Sequence, residues 1–222
     1  MPGFDPDADA ASALPARSRR PVATAALLTC AALSALVLSG CGGGGSETAA
    51  ASLPRLPGAD AVPARPAPPI ELTDYHGHRV DLAQLRGKPV LVAFLYTHCH
   101  DLCPIVAAKV HTAYAHLDPA QRPLFLAVSV DPAHDTAASA AAFNRRHRTV
   151  GEIDWLLGSR QELEKVWEAW SVKPEHSRAA PEQIEHSAEI FAVDPQGRIR
   201  ALYPPEFKPA LLAAGAQRLA GL

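Results

Sequence analysis

"PVLVAFLYTHCHDLCP", residues 89–104, joins a nearly continuous apolar run to two cysteines and two histidines packed into nine positions. The run from Pro89 to Tyr96 is rich in valine and leucine and does not alternate with polar residues. That pattern fits a strand buried on both faces of a parallel or mixed sheet. Helical spacing begins at Cys103 and continues through Val106, Val110, Ala113 and Leu117. Pro104 suits the first turn, where a missing N–H costs no hydrogen bond. The stretch therefore reads as a strand feeding directly into a helix, with Cys99 on the connecting loop and Cys103 at the helix start.

The same alternation extends outward. Ile70 to Leu82 carries two short alternating segments around His76-Gly77, which predicts a hairpin. "PLFLAVSVD", Pro123 to Asp131, is a second buried strand, followed by a helix to about His147 that Asp135 or Thr136 can cap. "IDWLLG" is a short strand, and Ser159 with Glu162 forms a capping box for "RQELEKVWEAW". "EIFAVD", the turn "DPQG" and "RIRALY" form a hairpin. "KPALLAAGAQRLAGL" ends the chain as a helix. Alternating strands and helices imply an α/β fold with a central mixed sheet, flanking helices and an N-terminal hairpin. A strand that runs into a helix with cysteines at its start is the thioredoxin-like arrangement. A Rossmann domain is the rival, but no G-x-G-x-x-G follows any strand.

The segments before this domain read as targeting. Arg17, Arg19 and Arg20 precede the uncharged stretch "PVATAALLTCAALSALVLSG", and its most apolar part is short for a membrane span of about 20 residues. Cys30 lies inside it and is read as a small apolar residue lost with the signal. "LSGC", ending at Cys41, resembles the bacterial lipoprotein processing box, in which the cysteine receives lipid. The expectation is a signal segment over 1–40, a lipidated Cys41 with a flexible Gly/Pro-rich tether over 41–69, and a folded domain over 70–222. A formal charge of -2 gives no basic excess of the kind that nucleic acid requires.

Of the four cysteines, Cys99 and Cys103 carry the chemistry. At a helix N-terminus a thiolate is stabilised. Thiolates bind soft ions such as copper(I) or zinc, and they are also the reactive form in disulfide exchange. An inert structural disulfide is the third reading, and spacing alone leaves all three open. A peroxidatic cysteine fits poorly, because Thr97 lies only two residues before Cys99 and the expected proline is missing. Among the ten histidines, His186 stands out. It precedes a buried strand that, in a thioredoxin-like sheet, enters beside the cysteine helix. An imidazole and two thiolates make a coherent soft ligand set.

"YTHCHDLCP", "VSVDPAHDT" and "EHSAEIFAVDPQG", in that order, resemble the SCO/SenC/PrrC family, and the likeness runs from about Ile70 to Leu222. The family's Cys-x3-Cys-Pro matches Cys99, Cys103 and Pro104, and its distant histidine matches His186. Its Asp-Pro-x-x-Asp-Thr element matches Asp131, Pro132, Asp135 and Thr136. The resemblance implies a membrane-anchored, thioredoxin-like protein of the cell envelope, facing the periplasm, that binds a copper ion through Cys99, Cys103 and His186. It implies as partner the copper-bearing subunit of cytochrome c oxidase, or another periplasmic copper or thiol protein. Some members act as thiol-disulfide reductants, which would make Cys99 and Cys103 a redox pair. The chain departs from the pattern at His100, where members commonly carry proline, and His98 adds another imidazole beside the pair. It also carries a lipid signal where the family usually has a membrane helix.

Overall fold

A computed structural model describes residues 55–180 and 183–222. Cys41 and the signal segment fall outside them. The strands are β1 (Asp60–Pro66), β2 (Glu71–Asp74), β3 (Arg79–Asp81), β4 (Val90–Leu95), β5 (Leu124–Ser129), β6 (Asp154–Leu157), β7 (Glu175–His176), β8 (Ile184–Glu185), β9 (Ile190–Val193) and β10 (Arg198–Tyr203). The α-helices are α1 (Leu102–Ala115), α2 (Ala137–His147), α3 (Arg160–Ala169) and α4 (Pro209–Ala220). Eight strands form one sheet in the order β1-β10-β9-β4-β5-β6-β2-β3, and β7 and β8 form a separate two-stranded ribbon.

The centre of the sheet follows from composition. Every residue of β4 is buried, as the unbroken apolar run requires of a strand covered on both faces. β4, β5 and β6 are parallel neighbours joined through α1 and α2. The other pairings, β1–β10, β10–β9, β9–β4, β6–β2 and β2–β3, are antiparallel, so the sheet is mixed, as the sequence predicts. At the end of α3, Trp170 closes on Phe94 of β4 and Phe191 of β9, with ring centroids 5.9 and 5.0 Å away. α1 and α4 pack together. α4 approaches β10 closely at Gly215, where an added Cβ would lie 1.8 Å from the Tyr203 hydroxyl.

Local signals behave as the sequence foretells. Ser159 and Glu162 form the capping box of α3, and Thr136 caps α2, with Ser139 completing its box. In the β9–β10 turn, the buried Asp194 carboxylate accepts the amides of Gln196 and Arg198 and pairs with Arg200 at 3.1 Å. Gly197 there takes a left-handed φ of 77°.

Two elements depart from expectation. The tether expected to run to Pro69 instead contributes β1, which pairs with β10 from Asp60↔Leu202 to Pro66↔Arg198 and shifts register between Ala61 and Arg65. Proline is compatible with a strand at an edge or at a bulge, and Pro63 lies within that shift. The Pro-rich composition therefore marks an edge strand here and not only a linker. The β7–β8 ribbon also forms inside a polar segment that carries no strand signal.

Candidate functional site

β4 ends at Leu95, and the loop from Tyr96 to Asp101 leads into α1. Asp101 is the N-cap residue of α1, yet its side chain makes no capping hydrogen bond. The Cys99 sulfur takes part of that role by accepting the backbone amide of Cys103 at 3.4 Å. Helix N-termini expose amides that need acceptors, so a thiolate there satisfies the backbone and is itself stabilised. Both cysteines are free and buried.

The two thiols are electrostatically unequal. The Cys99 thiol falls to a pKa of about 5, chiefly because the Cys103 side chain hydrogen-bonds its anion. The amides of Cys103 and Asp101 and the Tyr96 hydroxyl assist, while burial opposes. Cys103 is pushed well above the ordinary thiol range by that same hydrogen bond, then by burial and by the negative charges of Cys99 and Asp135. The reduced pair at neutral pH is one thiolate, Cys99, and one thiol, Cys103.

The antiparallel register of β4 and β9 explains how His186 reaches this place. Val92 faces Phe191 and Val90 faces Val193, so β9 begins beside the end of β4, where the cysteine loop starts. His186 lies four residues before β9, directly after β8. A cavity of about 200 Å³ has Tyr96, Cys99, Cys103, Ile184 and His186 in its wall. Tyr96 links the two sides. Its hydroxyl accepts the Ile184 amide at 3.3 Å, and its ring meets that of His186 edge-on with centroids 6.3 Å apart.

His186 is half-buried. Its Nδ1 lies 2.7 Å from the Ser187 carbonyl. A carbonyl can only accept, so the proton sits on Nδ1 and Nε2 keeps its lone pair. Burial lowers the imidazole's pKa, against the opposing pull of the Ser187 carbonyl and the Cys99 charge. A neutral ring with one nitrogen oriented by a backbone carbonyl is the state in which histidine ligates metals. Two sulfurs and an imidazole on one cavity wall fit a soft ion such as copper(I). They are not gathered around one point. Among the described residues, no group of three or more His, Cys, Asp or Glu side chains already stands in metal-binding array.

The sequence reading missed part of the support. Of the two candidate caps of α2, Asp135 and Thr136, it is Thr136 that caps the helix, and the Asp135 carboxylate turns inward. It accepts the Thr97 amide at 2.8 Å, the Thr97 hydroxyl at 2.6 Å and the Ser129 hydroxyl at 2.5 Å. This bracket ties the cysteine loop to the end of β5. Burial nevertheless raises the Asp135 pKa. The Asp-Pro-x-x-Asp-Thr element was the available signal, though it does not say which way the second aspartate points. Other histidines have structural partners: His111 meets Glu152 at 2.9 Å, His78 meets Asp74 at 3.1 Å, and the His147 ring lies tilted against that of Phe143, centroids 4.3 Å apart. His100 is exposed beside the pair.

A central mixed sheet with a cysteine-bearing helix start defines a thioredoxin-like protein. The sequence model of the SCO1/SenC family matches residues 59–221, and the chain belongs to that family. A curated relative, the mitochondrial SCO2 homolog of Bos taurus, is 30% identical over 147 residues, covering 60% of this chain and 52% of its own. The chain spans about half the length of the first curated relatives it matches. Among solved structures, copper-bound ScoI of Bradyrhizobium japonicum is 27% identical with a TM-score of 0.59, over 70% of this chain and 99% of that one. Apo Sco1 of Thermus thermophilus is 28% identical with a TM-score of 0.61, over 73% and 95%. No described helix is long and apolar enough to cross a membrane.

Proposed function

We propose that this chain is a copper-binding protein of the cell envelope, anchored through lipid on Cys41 and facing the periplasm. It holds copper(I) through Cys99, Cys103 and His186 and passes it toward the binuclear copper centre of cytochrome c oxidase. The observation that carries the metal assignment is the single cavity shared by the two sulfurs and an imidazole whose Nδ1 is already committed to a carbonyl. Family membership and the copper-bound Bradyrhizobium relative support the same ion. The client and the anchor rest on the family resemblance and on the "LSGC" signal.

Both thiols must be deprotonated to bind metal, so loading releases protons and requires the reduced pair. Anaerobic copper(I) loading with X-ray absorption tests the assignment. The expected result is one copper per chain with two sulfurs and one nitrogen. Replacing His186 by alanine should remove the nitrogen and weaken binding, while a disulfide can still form. Unchanged stoichiometry and coordination after Cys99→Ala, Cys103→Ala and His186→Ala together would exclude the site.

A second reading, thiol-disulfide exchange on a client's cysteines, is favoured by one observation. Cys99 is a stabilised thiolate next to a protonated Cys103, which is the arrangement of an attacking sulfur and a resolving one. Trapping a mixed disulfide with a client through a Cys103→Ser variant tests it. Failure of that variant to trap any periplasmic thiol protein would exclude it.

A further inference from the structure

Two further imidazoles meet outside the cysteine cavity. His98, at the residue before Cys99, and His134, in the loop after β5, face each other edge-on with centroids 5.8 Å apart. Both are exposed, and both have one nitrogen committed. The Thr97 hydroxyl gives its proton to Asp135, so at 3.1 Å from His98 Nδ1 it can only accept. His98 is therefore protonated on Nδ1. His134 Nδ1 lies 3.0 and 2.9 Å from the two Asp131 oxygens, and a carboxylate likewise only accepts. In its neutral form each ring thus carries its lone pair on Nε2. A hydroxyl behind one imidazole and a carboxylate behind the other are the supports that orient metal-ligating histidines.

We propose that His98 and His134 form a second, nitrogen-only metal site, which takes a divalent late transition ion and prefers copper(II). With metal–nitrogen bonds of about 2.0 Å, one ion shared by two Nε2 atoms places the ring centroids about 4.5–6.3 Å apart, depending on the angle between the bonds. The observed spacing of 5.8 Å falls within that range. Imidazole suits copper, nickel and zinc, and copper(II) binds most tightly among divalent ions of the first row. The protein supplies two ligands and water completes the shell, which agrees with the lack of any three-ligand array among the described residues. The site uses none of the residues proposed to hold copper(I).

The test removes those residues first. The full chain carrying Cys99→Ser, Cys103→Ser and His186→Ala is titrated with copper(II) against glycine as competitor and examined by pulsed electron paramagnetic resonance. The expected result is one ion per chain coupled to two imidazole rings. Adding His98→Gln or His134→Gln should weaken binding about tenfold or more and leave one ring. These side chains are exposed, so the fold should persist, which circular dichroism checks. The proposal is overturned by equal affinity and an equal ring count when both are glutamine, or by losses that follow His100→Gln instead. The parent has no thiolate site, so the outcome is independent of the copper(I) assignment.

Discussion

The Tyr96 hydroxyl accepts the amide of Ile184 at 3.3 Å while the same side chain also supports the Cys99 thiolate. One group therefore joins the end of β4 to the ribbon strand that precedes His186. Tyr96→Phe removes this link without changing ring volume. One net hydrogen bond is worth about 1 kcal/mol, so amide exchange at Ile184 should quicken about fivefold. Exchange measured by mass spectrometry on the peptide containing residues 183–186 checks this, and an unchanged rate would show that the ribbon is held by other contacts.

Cys99 titrates near pH 5 in the metal-free, reduced protein. Above that pH the thiolate predominates, and below it the reactive form is lost. Alkylation by iodoacetamide should rise through an inflection near pH 5 and then stay level to pH 8, with modification at Cys99 and not at Cys103. A single inflection near the ordinary thiol value would remove the basis for the unequal pair.

Asp154 has one buried carboxylate oxygen without a hydrogen-bond partner, and burial, followed by the charge of Asp74, raises its pKa to about 6. The native state therefore holds its proton more tightly than the unfolded chain. Ionisation costs nothing below the unfolded value of 3.8, and the cost grows as pH rises through 6. After allowance for partial solvent screening, the cost at pH 7 is about 1 kcal/mol. Asp154→Asn should stabilise the protein by about that amount at pH 7 and by nothing at pH 3.5, as read from urea unfolding.

Gly215→Ala would drive a methyl into the Tyr203 hydroxyl, which is buried and has no hydrogen-bond partner. Overpacking of this kind costs about 1–3 kcal/mol. Tyr203→Phe deletes an unsatisfied group and should be neutral or stabilising on its own. In combination it should recover much of the loss. Strictly additive effects in thermal unfolding of the double variant would mean that the clash is relieved elsewhere.

The strands that build the core were legible because burial on both faces leaves a continuous apolar run, as in β4 and β5. Capping signals at Ser159 and Thr136 are local, so they too could be read directly. The nearness of His186 to the cysteines was inferred from strand order, and the β4–β9 register supplies it. What escaped was decided by distant partners. β1 exists because β10 offers an edge to a chain whose composition reads as linker. The inward turn of Asp135 depends on Thr97, 38 residues away, and no local pattern distinguishes it from a cap. His134 sits in a loop, and only folding places it opposite His98.

Pro63 and Pro66 have a consequence for how another protein can approach. A seven-residue outer strand that lacks two backbone donors makes a poor template for strand addition, and its register shift bends it away from flat pairing. The sheet is therefore discouraged from growing by edge-to-edge joining at β1, whether with a client or with a second copy of itself. Side-chain contact is open instead at the start of α1, where Ile105 stands exposed two residues after Cys103.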